Sequence, residues 1–131
     1  MRTETRDFLA KSRECLAAAK TVLSVSLPGV AAKEGYLAAY HAAHAFVFER
    51  TGTATKTHRG LRAAYARAAR DEPRLDPAFT RLLSQAYKFK EVADYGVGPA
   101  IKITVADAEA VIDSAERFIE AVSEALRPKP V

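Results

Sequence analysis

The stretch Arg50-Thr51-Gly52-Thr53-Ala54-Thr55-Lys56-Thr57-His58-Arg59-Gly60-Leu61 holds the residue types most able to do chemistry in this chain. It reads as a small, Thr-rich loop that joins two helices and ends in a histidine at a helix start. Imidazole takes and gives protons near neutral pH. A helix N-terminus offers free N–H groups to an anion. The guanidinium of Arg50 or Arg59 would hold a phosphate at two points. Together these groups suit cleavage of a phosphodiester without a metal. A loop histidine serves a structural role just as readily, and residue types alone leave both readings open.

A second cluster is Lys88-Phe89-Lys90-Glu91-Val92-Ala93-Asp94-Tyr95. Lys90 and Asp94 stand four apart on one helix face and can pair. Tyr95 adds a ring and a hydroxyl at the helix end. The same residues also describe an ordinary ion pair beside a capping aromatic. His41 and His44, spaced i and i+3, could begin a metal site. No carboxylate follows at a matching spacing in that helix, so they are read as hydrogen-bonded in or near the core, and no metal is expected. The chain carries no Walker loop, no Gly-x-Gly-x-x-Gly after a strand, no Gly-x-Ser-x-Gly and no His-Glu-x-x-His. No cofactor is therefore expected.

Charge is polarised along the chain. Residues 50–74 hold seven basic side chains (Arg50, Lys56, Arg59, Arg62, Arg67, Arg70, Arg74) against two acids, whereas residues 104–126 hold six acids against Arg117. The net charge is +4. A basic stripe attracts polyanions, nucleic acid first among them, although a solvated helix face has the same composition. On the nucleic-acid reading, Arg62, Arg67 and Arg70 would hold a phosphate backbone without reading sequence.

Five helices must position these groups. Apolar residues at spacings of three and four (Phe8, Ser12, Cys15, Leu16, Ala19, Val22, Leu23) predict a first helix over 5–24. Cys15 lies inside that stripe and reads as a small core residue. A second helix over 30–50 is apolar nearly all round (Tyr36, Leu37, Tyr40, Ala43, Phe46, Val47), which places it in the middle of a bundle. A third runs from after Thr57 to about residue 70, with Leu61, Ala64, Tyr65 and Ala68 inward. A fourth opens at Asp76-Pro77, an N-cap followed by proline, and closes at Tyr95-Gly96, where glycine suits a left-handed cap. A fifth opens at Thr104 with Asp107 at its third position. Breaks are expected at Leu27-Pro28-Gly29, Thr51-Gly52-Thr53, Asp71-Glu72-Pro73 and Gly96-Val97-Gly98-Pro99. Ile101-Lys102-Ile103 is too short for a sheet. The fold class is all-α: a bundle of four long helices plus one shorter helix.

At 131 residues the chain suits a single domain over 1–131, with a loose tail at 127–131. Alanine is about a fifth of the sequence, a helix-favouring bias. No apolar run is long enough to span a membrane and the N-terminus lacks a signal-peptide core, so no membrane association is expected. The lone cysteine fits a reducing, cytoplasmic compartment.

Three pieces carry a family resemblance: Gly35-Tyr36-Leu37-Ala38-Ala39-Tyr40-His41-Ala42-Ala43-His44-Ala45, Lys56-Thr57-His58-Arg59-Gly60-Leu61, and Lys90-Glu91-Val92-Ala93-Asp94-Tyr95-Gly96. With the long last helix, they make the chain resemble the HEPN domain proteins, in particular the small stand-alone prokaryotic group, over nearly its whole length. The resemblance implies an up-and-down helical bundle that pairs into a two-fold homodimer. It implies a metal-independent endoribonuclease, often the toxin of a pair with a nucleotidyltransferase antitoxin. Other members are non-catalytic nucleotide-binding or protein-interaction modules.

In the active members an arginine precedes a histidine by a few residues, and two such pairs meet across the dimer cleft. Carried over, His58 is the general acid or base and Arg50 the phosphate-stabilising arginine, with seven residues between them, more than is usual. Lys56 and Arg59 flank the histidine as alternative cations. Lys90 stands where arginine is common before Ala-Asp-Tyr. Gly60 occupies the place of a tyrosine that some antitoxins modify. RNA or nucleotide contacts are expected from Lys56, Arg59, Arg62, Lys90, Asp94 and Tyr95.

Overall fold

A computed structural model describes residues 1–96 and 102–128. It contains five helices: α1 (Thr3–Ser24), α2 (Pro28–Thr51), α3 (His58–Ala69), α4 (Ala78–Tyr95) and α5 (Val105–Ala125). The all-α bundle of four longer helices and one shorter one follows the reading of the sequence. Val97, Gly98, Pro99, Ile101 and the end of the tail from Lys129 lie outside the described residues.

The helix ends follow their capping residues. Pro28 sits in the first turn of α2, where its missing N–H costs nothing. Gly52 ends α2 in the left-handed conformation (φ 72°), and its N–H donates to the Phe48 carbonyl at 2.8 Å. Thr57 caps α3 by accepting the Gly60 N–H at 2.9 Å. A Cβ on Gly60 would stand 2.8 Å from that same Thr57 hydroxyl, so a side chain there would make the hydroxyl shift.

Asp76 accepts the Ala78 N–H at 2.8 Å and opens α4, which begins just after Pro77. Thr104 and Asp107 exchange backbone N–H bonds at 3.1 and 2.9 Å, a full capping box for α5. Gly96 departs from expectation. Its backbone is extended (φ −69°, ψ 103°) rather than left-handed. Glycine is required there for another reason: its N–H folds back onto the Val92 carbonyl, and a Cβ would strike that oxygen.

α2 touches each of the other four helices. Its small residues make that possible. Ala31, Ala32, Ala38, Ala39, Ala42, Ala43 and Ala45 are all fully buried. At Gly35 even a methyl group would approach Val111 Cγ1 to 2.9 Å, which shows how closely α5 lies against α2. Tyr36, Phe46, Leu61, Tyr65, Phe118 and Ile119 supply the bulk of the core around this alanine spine. Cys15 is buried, and burial and then Glu34 push its thiol up to about 11, which leaves it inert. Among the described residues no helix is long and apolar enough to cross a membrane.

Candidate functional site

His58 opens α3, and α2 and α4 supply the walls around it. α2 presents Lys33, Tyr36 and Tyr40. α4 presents Tyr87, Lys90 and Asp94. Each set has the spacing i, i+3, i+7 and so occupies one helix face. α3 adds Arg62, one turn after His58.

The imidazole of His58 is half-buried among three tyrosine rings. Ring centroids lie 4.3 Å away for Tyr40, 5.3 Å for Tyr87 and 5.7 Å for Tyr36. His58 Nδ1 and the Tyr36 hydroxyl form a hydrogen bond of 2.7 Å. Among the described residues Nε2 has no hydrogen-bond partner. Burial first, then the charges of Lys90 and Arg62, hold His58 below the ordinary histidine range, with Asp94 pulling weakly the other way. His58 is thus predominantly neutral at neutral pH. Burial also pushes the Tyr36 and Tyr40 hydroxyls up, which keeps both protonated.

Cations outnumber anions here. Asp94 accepts from Lys33 on α2 and from Lys90 at 2.8 Å on its own helix. Those two bonds, Lys33 first, hold the Asp94 carboxyl below its usual range. The Arg62 guanidinium lies over the Tyr87 ring at 4.7 Å. Its Nη1 is buried and has no hydrogen-bond partner among the described residues. Two cations therefore share one carboxylate, and a third, Arg62, keeps a donor unmatched among the described residues beside a neutral histidine. A tetrahedral oxyanion supplies the acceptors that this arrangement lacks.

The expected partner of His58 lies elsewhere. Arg50 donates to Glu72 at 3.1 Å and lies over the Phe46 ring at 4.7 Å. Glu72 is 6% exposed and accepts also from Arg74 at 2.6 and 3.1 Å. Arg74 reaches on to the Glu124 and Ala125 carbonyls at the end of α5, at 3.2 and 3.1 Å. The Arg74 hydrogen bonds, ahead of Arg50, draw the Glu72 carboxyl down to about 2. This cluster fastens the end of α2 and the α3–α4 turn to α5. None of Arg50's contacts is shared with His58.

Lys90, Asp94 and Arg62 are thus brought to His58. Lys56 and Arg59 are exposed and have no ion pair among the described residues. Tyr95 is 75% exposed at the rim, its ring 5.7 Å from Lys90 Nζ. His44 sits in the core as expected: Nε2 accepts the Thr55 N–H at 3.2 Å, and the ring stacks on Phe8 at 4.3 Å. His41 packs edge-on against Tyr40, its Nδ1 buried and without a partner. Burial, then the neighbouring His44, lowers it to about 4.

Lys33 and Tyr87 were absent from the sequence reading, and Tyr36 and Tyr40 entered it as core filling. The signal was the matched i, i+3, i+7 pattern of the two helices.

The five-helix bundle carries this histidine, arginine and lysine-flanked carboxylate on three packed helices. A model of the HEPN domain matches residues 5–125. The chain belongs to that family. It is also 26% identical over 127 residues to a protein of Methanocaldococcus jannaschii named "Putative toxin MJ0605", covering 97% of this chain and 92% of the relative.

Proposed function

We propose that this protein is a metal-independent endoribonuclease of the HEPN family. His58 addresses the scissile phosphate through Nε2, and Arg62 and Lys90 hold that phosphate. The observation that carries this reading is the buried, partnerless Nη1 of Arg62 beside a neutral histidine. Positive groups aimed at developing phosphate charge act most strongly where water is thinned out. Arg50 is set aside from this role because its donors are directed to Glu72. Exposed Arg59 and Lys56 extend the basic surface toward the flanking backbone. Tyr95 offers a ring to a neighbouring base.

The functional unit is a two-fold homodimer that sets the partner's His58 across the same groove. By analogy with the name its archaeal relative carries, the protein acts as the toxin of a pair, in the cytoplasm, against a nucleotidyltransferase antitoxin. Gly60 denies that antitoxin a tyrosine at this position, so neutralisation would proceed by binding.

The test is RNA cleavage in excess chelator. Wild type cleaves, and His58→Ala loses about two orders of magnitude or more. His58→Asn, which leaves Tyr36 an acceptor, loses as much while keeping the fold. Equal cleavage by all three refutes the assignment. No cleavage by a folded wild-type dimer would make the protein a nucleotide-binding or protein-interaction module instead.

A further inference from the structure

We propose that Tyr36 is a positioning residue that fixes the tautomer of His58, so that the site presents an Nε2–H hydrogen-bond donor to a bound phosphate. This rests on the ribonuclease reading for its chemical meaning, but the tautomer itself can be measured without it.

The argument is one of buried donors and acceptors. Tyr36 is fully buried, so water cannot take its hydroxyl proton. Among the described residues its hydrogen-bond partner is His58 Nδ1, at 2.7 Å. The charged group acting on the phenol oxygen is the Arg62 guanidinium, which has donors and no acceptor. The phenol proton therefore points to Nδ1, which must carry a lone pair. In a neutral imidazole the proton then sits on Nε2.

The reverse tautomer, and the imidazolium, would both set Nδ1–H against the phenol and leave the hydroxyl proton buried without an acceptor. Lys90 and Arg62 oppose the imidazolium as well, with Asp94 the nearby counter-charge. A neutral imidazole held this way donates a hydrogen bond to an oxyanion and keeps its proton throughout. It cannot take a proton at Nε2, so removal of the 2′-hydroxyl proton falls to another group. His44 provides an internal contrast, since its Nε2 accepts a backbone N–H and its tautomer is the opposite one.

The experiment is long-range ¹H–¹⁵N correlation of the histidine rings at pH 7 in the whole protein. The chain has three histidines, and His58→Asn removes one spin system to assign it. The expected spectrum shows His58 with a pyridine-type Nδ1 and a pyrrole-type Nε2. In Tyr36→Phe, with an unchanged circular dichroism spectrum, the two nitrogens shift toward the mixed values of free imidazole. A pyrrole-type Nδ1 in wild type overturns the proposal. So does a Tyr36→Phe spectrum identical to wild type. If the chain proves not to cleave RNA, the tautomer result stands or falls independently.

Discussion

Arg50 and Arg62 stand on consecutive helices of the same bundle, and the protein treats them in opposite ways. Arg50 faces Glu72, a carboxylate that also takes Arg74, and the ends of α2 and α5 are fastened through that group. Arg62 rests on Tyr87 with a buried Nη1 that no described residue satisfies. A buried donor without an acceptor costs about 1–3 kcal/mol, which a fold designed only for stability would avoid. A matched arginine is part of the scaffold. An unmatched one beside a half-exposed histidine is the one proposed to hold the phosphate. The family pattern points to an arginine before the histidine in sequence, whereas we assign the role to the one a turn after it.

Several substitutions would sharpen or break this contrast. The largest effect belongs to His58→Ala, the loss of cleavage described above. Next comes Glu72→Gln, which removes the charge that both Arg50 and Arg74 address. It should destabilise the fold by about 2 kcal/mol near neutral pH. Its effect should have a defined pH window. The Glu72 carboxyl sits at about 2 in the folded chain against 4.5 when unfolded. The stability it contributes is present above the unfolded value and is lost as pH falls through the folded one. Urea titrations from pH 6 to pH 2 should show wild type and Glu72→Gln converging at the acid end. A gap that persists at pH 2 would mean that the Glu72 cluster is held by packing and not by charge.

The histidine side of the molecule should fail in a different window. His41 falls to about 4 in the folded chain against 6.5 when unfolded, in the company of His44, Lys11 and His58. Its neutral, buried form makes the unfolded chain the better proton binder between those values. Stability should therefore fall as pH drops from about 6.5 toward 4, before the Glu72 cluster begins to titrate. His41→Gln should flatten that limb by about 1 kcal/mol or less, read in the same titrations at pH 5. An unchanged slope would place the titration on His44 or His58.

The sequence made the bundle legible because its signals were local and agreed with one another. The Thr104/Asp107 capping box, Thr57 before His58, and Asp76-Pro77 each mark a helix start that depends on residues within one turn. The Ala-rich α2 announced its central place by lacking a polar face. Gly96 misled because glycine serves both a left-handed cap and a backbone too tight for a Cβ, and composition cannot separate the two.

The candidate site was legible in part. Lys90–Asp94 and the position of His58 follow from spacing on a helix. That Lys33 completes the carboxylate, and that Tyr87 carries Arg62, depends on how α2, α3 and α4 rotate against one another. The pairing of Arg50 with Glu72 depends on the α3–α4 turn folding back to α2. Such long-range choices between equally charged partners leave no mark within a single helix.

The most direct test sets the two arginines against each other: cleavage of a single-stranded RNA in excess chelator by wild type, Arg50→Gln and Arg62→Gln, each checked for folding. The expected result is a loss of roughly tenfold or more for Arg62→Gln, while Arg50→Gln cleaves at close to the wild-type rate and melts a few degrees lower. Loss of cleavage in folded Arg50→Gln, with Arg62→Gln fully active, would contradict the account and return the phosphate-binding role to Arg50.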